Sequence, residues 1–166
     1  MKQEAGFTLI EVVASLVIVG IIAVFSSLFL VVGLEGYEFT RKAAAAAMNA
    51  EVALNRISLE LKTINGIWAA PVPNSSLAYT SSDSTLTGNR TIKFASDNLY
   101  INTGGVEDYI LIKDVSNPEL SVQLEDLDND GTVDDVAYIT VGFKLSGITT
   151  PFQIRAYPRK MVAKSW

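Results

Sequence analysis

A chain of 166 residues with a net charge of −5 and a pI near 4.7 has room for one domain and one long accessory element. Its acidity argues against a nucleic acid as partner, which would call for a basic face. Cysteine and histidine are both absent, so disulfide staples, thiolate metal sites, serine–histidine triads, zinc-protease sites and His-ligated haem are excluded.

The mean hydropathy of +0.28 is high because the apolar residues concentrate in one run. From Phe7 to Leu34 the only charged residue is Glu11. As a helix this run is roughly 40 Å long, more than the ~30 Å hydrocarbon core of a bilayer. Being apolar all round, it requires burial in lipid or among other helices. A secretory signal peptide fits poorly. Lys2 is offset by Glu4, the apolar run exceeds an h-region, and no small-x-small cleavage site follows at Gly33-Leu34-Glu35-Gly36-Tyr37. A plain membrane anchor accounts for the length but not for Glu11, because a carboxylate beside the membrane core costs several kcal/mol unless it is paired or hydrated.

The segment Gly6-Phe7-Thr8-Leu9-Ile10-Glu11 resembles the processing motif of type IV prepilins and pseudopilins. The resemblance implies cleavage by a prepilin peptidase between Gly6 and Phe7, methylation of Phe7, and a pairing of Glu11 with the Phe7 amine of a neighbouring subunit. It divides the chain into a leader (1–6), a transmembrane and filament-core helix (7–34), an amphipathic second half of that helix (35–66) and a β-rich pilin-like domain (67–166). The implied location is the inner membrane, single-pass, with the N-terminus cytoplasmic and the domain outside, and then a pilus or pseudopilus. The implied partners are other pilin or pseudopilin subunits, the peptidase, an inner-membrane assembly platform, and lipid before assembly. Many pilins carry a proline about two-thirds along the apolar run. Here Val19 to Val32 holds none, and Gly33 and Gly36 are the obvious weak points.

After Gly36, Ala43, Ala47, Ala50, Leu54, Ile57, Leu61 and Ile64 form one stripe that predicts an amphipathic helix docked at its large-residue end, with Asn65-Gly66 as its stop. Trp68 to Asn89, rich in Ser, Thr, Pro and Asn, reads as a long surface connection. Strands are predicted over Thr91–Ala95, Leu99–Asn102, Tyr109–Lys113, Leu120–Glu125, Val136–Leu145 and Phe152–Tyr157. The predicted class is α+β: a long helix packed on an antiparallel sheet.

Between two of these strands lies Glu125-Asp126-Leu127-Asp128-Asn129-Asp130-Gly131-Thr132-Val133-Asp134-Asp135. Its D-x-D-x-D-G core matches the first half of an EF-hand-type Ca2+ loop. Asp126, Asp128 and Asp130 are the candidate primary ligands. Thr132 offers its carbonyl, and Asp134 or Asp135 closes the site. The twelfth position is Ala137, so the bidentate glutamate is missing, and a solvated hairpin turning at Asn129-Asp130-Gly131 is the competing reading. No nucleophile–base pair is visible, so a structural subunit is expected rather than an enzyme. Ala53 to Leu61 and Val136 to Arg155 resemble minor pseudopilins of type II secretion systems, which favours a minor or tip subunit. The alternative is a major pilin of an adhesive, motility or DNA-uptake filament.

Overall fold

The computed structural model describes residues 8–86, 88–105 and 107–164, and the chain forms two compact units, Met1–Ala44 and Ala45–Trp166. One helix, α1 (Leu9–Lys62), contributes to both. It contains no proline, and Glu11 in its first turn and Lys62 in its last complement the helix dipole. Its end is well satisfied. The Thr63 N–H and hydroxyl donate to the Glu60 carbonyl at 3.1 and 2.9 Å. The Arg159 N–H donates to the Lys62 carbonyl at 2.9 Å. The helix therefore stops at Lys62, ahead of Asn65-Gly66, and Ile64 belongs to a strand.

Eight strands follow in two antiparallel sheets. The first has the order β1 (Ile64–Ile67), β2 (Ser76–Ser81), β3 (Asn89–Ala95), β4 (Asn98–Asn102), β5 (Asp108–Lys113). The second runs β6 (Val115–Glu125), β7 (Asp135–Leu145), β8 (Phe152–Ala156). The α+β class is as predicted, and six predicted strands are found at or near their expected positions. Three features differ from the sequence reading. The stretch expected to be a surface connection contains β2, the expected helix end at Ile64–Ile67 is instead β1, and the sheet is divided in two. In β2 the alternation is real, since Leu77 and Tyr79 are fully buried, but their neighbours Ser76, Ala78, Thr80 and Ser81 conceal it in a Ser/Thr-rich context.

The core of the second unit joins the α1 stripe from Ala50 through Ala53, Leu54, Ile57 and Leu61 to both sheets, chiefly Ile64, Ile67, Leu77, Ile92, Leu99, Ile139, Val141 and Phe143. Consecutive hairpins need tight turns. At β3–β4 the two loop residues Ser96 and Asp97 have φ of 48° and 57°, the left-handed pair that a two-residue hairpin demands. Residues 158–164 cross back over the fold. Val162 is buried, the Val136 N–H donates to its carbonyl at 2.9 Å, and the Lys164 N–H donates to the Asp134 carbonyl at 2.7 Å.

One charged group is buried where helix and sheet meet. Glu60 is 1% exposed. Its carboxylate accepts from Arg90 Nε (2.7 Å) and Nη2 (2.8 Å), from the Tyr79 hydroxyl (2.7 Å) and from Arg56 Nε (2.8 Å). Arg90 is 3% exposed and Tyr79 fully buried. The fork geometry of Arg90 on a carboxylate is the strongest form of such a pair, and no buried side-chain polar atom among the described residues lacks a partner.

Candidate functional sites: the apolar helix and the acidic loop

The apolar run behaves as a surface waiting for cover. Large apolar side chains from Leu9 to Leu34 are all exposed, from 48% at Val12 to 84% at Leu9 and Phe29. This helix is long and apolar enough to cross a membrane, with a mean hydropathy of 2.8 over its most apolar window. Ser15 and Ser27 donate their hydroxyls to the Glu11 and Val24 carbonyls at 2.8 and 3.0 Å, so both serines are satisfied without water and sit in an apolar surround at little cost. Glu11 lies one turn from the helix start and makes no ion pair among the described residues. The predicted cleavage and methylation residues, Gly6 and Phe7, lie outside the described residues.

The acidic loop joins β6 to β7, which pair as far as Glu125 and Asp135. Gly131 takes a φ of 91° and Asn129 a φ of 59°, so the chain reverses between Glu125 and Asp135 by using residue types that tolerate left-handed backbone. The turn brings Asp126, Asp128 and Asp130 together. One carboxylate oxygen from each lies within 4.8 Å of the other two. The Asp130 N–H donates to Asp126 Oδ1 (3.2 Å) and Asp128 Oδ1 (3.1 Å), and the Gly131 N–H to Asp126 Oδ2 (3.2 Å). Thr132 donates both its N–H (2.8 Å) and its hydroxyl to Asp130, and its hydroxyl lies 3.3 Å from Asp134 Oδ1.

Asp135 has a different place. It is 2% exposed, and its Oδ2 accepts the Leu127 and Asp128 N–H groups at 3.1 and 3.2 Å. It braces the loop from beneath. Electrostatics separate the three upper carboxylates. The N–H of Asp130 pulls Asp128 down, but partial desolvation and the charges of Asp130, Asp135 and Asp126 outweigh it and hold Asp128 above the ordinary carboxylate value. Hydrogen bonds from Thr132 hold Asp130 below that value. Sequence reasoning found every member of this loop and missed the Glu60–Arg90–Tyr79 cluster. Its members are far apart in sequence, and Glu60 lies beside the apolar stripe with no local partner except Arg56.

An exposed helix long and apolar enough to cross a membrane, leading into a β-rich unit, fits a membrane-anchored protein built on one N-terminal helix. Residues 1–27 match the family model described as the prokaryotic N-terminal methylation motif. With the long apolar helix, that match supports the type IV pilin and pseudopilin family and a pilin-type substrate of prepilin peptidase. No curated protein and no solved structure matches the chain.

Proposed function

We propose that this chain is a structural subunit of a type IV pilus or type II secretion pseudopilus, cut between Gly6 and Phe7, methylated at Phe7 and assembled through its N-terminal helix as a minor, tip-located subunit. The observation that carries the reading is the methylation motif leading directly into a helix whose apolar side chains lie uncovered. Such a surface is stable only in lipid or against other apolar helices, and a filament subunit passes from the first to the second. In the membrane, the N-terminus is cytoplasmic and the β-rich unit lies on the far side. The Glu11 carboxylate, without an ion pair among the described residues, supports the assembly role, because the new Phe7 amine of a neighbour gives it a cation in an apolar setting. Mass spectrometry of sheared surface filaments tests this. The expected result is a methylated Phe7 N-terminal peptide in a trace component. The same peptide in the dominant component would make the chain a major pilin. An intact Met1 in membranes that contain the peptidase would end the filament reading.

The acidic loop supports a second element of the proposal, a Ca2+ site on Asp126, Asp128 and Asp130, with Thr132 and Asp134 completing it and Asp135 bracing the loop. Three oxygens within 4.8 Å of one another suit a cation bound at about 2.3–2.6 Å, and a cation would relieve the like-charge repulsion that raises Asp128. Bound Ca2+ would supply a structural clip in a chain without disulfides. Calorimetric titration of Ca2+ into the full chain is expected to give heat that Asp128→Ala abolishes, and Ca2+ is expected to raise the melting temperature relative to chelator. No heat and an unchanged melt in the wild type would remove the site.

A further inference from the structure

We propose that the cavity between the β3–β4 hairpin and the β5–β6 corner binds a neutral, hydroxyl-rich ligand of the sugar class. The cavity is about 330 Å3, at the small end of the range for small-molecule sites. Half-buried Phe94 lines it together with Asn74, Ser96, Asp97, Ser116 and Asn117. Neither lysine nor arginine does so.

Two properties distinguish it from an ordinary surface dent. The first is its backbone. Asn74, Ser96, Asp97 and Asn117 have φ of 56°, 48°, 57° and 47°. The hairpin turn accounts for Ser96 and Asp97, the turn from Val72 to Ser76 for Asn74, and the irregularity of β6 between Ser116 and Glu119 for Asn117, so left-handed residues of three separate segments meet at one cavity. Left-handed non-glycine residues are uncommon, and they collect where the fold holds side chains in set positions. The second is that the rim is already fastened. The Phe94 N–H donates to the Ser75 carbonyl (2.7 Å) and the Val115 N–H to the Asp97 carbonyl (2.8 Å). The Asn74 N–H donates to the Leu120 carbonyl (3.0 Å), and the Leu120 N–H donates to Asn74 Oδ1 (3.2 Å). A ligand therefore meets a preformed site and spends little on ordering it. The Asp97 carboxylate and the Asn117 amide make no side-chain hydrogen bond or ion pair among the described residues, so both are free to bond a ligand.

The chemistry selects the ligand. A carboxylate accepts from hydroxyls, an amide both donates and accepts, and serine hydroxyls do either. The aromatic ring offers an apolar surface to the C–H face of a pyranose. An anion would meet Asp97 with no cation to offset it. A peptide strand would need an open sheet edge; β3 and β4 are paired on both sides, and the free edge of β6 is broken at the cavity by Pro118 and the irregularity between Ser116 and Glu119.

The test is saturation-transfer NMR on the full chain in a zwitterionic, sugar-free detergent. The probes are methyl glucoside, methyl galactoside, methyl mannoside and N-acetylglucosamine, with choline as a cationic comparison. Asp97→Gly and Asn117→Gly remove the two free groups at positions where glycine takes the same φ without strain. Should one variant fail to show the wild-type melt, the other decides. At least one sugar is expected to give a transfer signal, and each variant to weaken it by about tenfold, the effect of one lost hydrogen bond. The proposal is overturned if no sugar gives a signal with the folded chain, if the signal survives in the folded variants, or if choline binds and the sugars do not. It is independent of the filament reading, because it concerns residues of the second unit alone.

Discussion

Glu60→Ala is expected to destabilise the unit formed by residues 45–166 by about 3–5 kcal/mol, the cost of leaving a buried partner charge uncompensated. Arg90, 3% exposed in the wild type, would keep only Arg56 and the Tyr79 hydroxyl as its former co-partners, and neither is an anion. Against a total stability of about 5–15 kcal/mol for an ordinary domain, this is enough to expose the unit to proteolysis. Urea unfolding followed by tryptophan and tyrosine fluorescence measures it. Replacing the pair together, Glu60→Met with Arg90→Met, is expected to recover most of the loss, because an apolar pair of similar volume avoids the desolvation of both charges. A double variant as unstable as the single ones would show that the cluster contributes more than mutual neutralisation.

The same cluster sets a pH dependence. Burial pushes the Glu60 carboxyl up, but hydrogen bonds from Arg90, Tyr79 and Arg56, with the Arg90 charge, outweigh it and hold the group below its ordinary value. Burial and the Glu60 carboxylate together push the Tyr79 phenol upward. A folded value below the unfolded one means that Glu60 binds its proton more readily in the unfolded chain. Its contribution is complete above the unfolded value, about 4.3 for a glutamate, and is lost as pH falls through the folded value. Wild type is therefore expected to lose more stability than Glu60→Gln between neutral pH and acid. Equal acid losses would assign the acid sensitivity to other carboxylates.

Glu11→Gln is expected to leave processing at Gly6–Phe7 intact while lowering incorporation into filaments by at least about a hundredfold. On the proposed assembly, the substitution leaves the Phe7 amine of a neighbour without its anion among apolar helices. Such a loss costs several kcal/mol, and each 1.4 kcal/mol is a factor of ten. Counting processed subunits in sheared filaments against those in membranes gives the ratio. Unchanged incorporation would mean that apolar packing alone sets the assembly and that Glu11 has another purpose.

The N-terminal half was the more legible part of the chain. A long, mostly apolar run and a motif of adjacent residues are local signals, and they pointed to the helix, to its exposure and to the family that the motif supports. The acidic loop was legible for the same reason, since its carboxylates and its turn residues are close together in sequence. The division of roles within it was not. Asp134 and Asp135 look interchangeable in sequence, and only the pairing of Glu125 with Asp135 puts the second beneath the loop. The second strand was hidden by composition, because Ser76 to Ser81 reads as loop until burial of Leu77 and Tyr79 is known, and the first was read as the end of the helix. The helix stop was misplaced by a few residues. Gly66 serves β1, where an added Cβ would meet Thr80 Oγ1 at 3.1 Å, rather than capping α1. The Glu60 cluster required three segments to meet, and no local pattern announces a contact between residues thirty positions apart.

The strap at residues 158–164 bears on when this fold can form during synthesis. Its Arg159 N–H satisfies the final helical carbonyl of α1, and Val162 fills the core between the helix and β7. A nascent chain that has exposed every strand through β8 still has an open seam at the foot of its helix, closed only when residues 159–164 emerge. The β-rich unit is therefore completed only after the apolar helix has left the ribosome. The order of emergence frees the helix to find its cover before the fold that follows it can close.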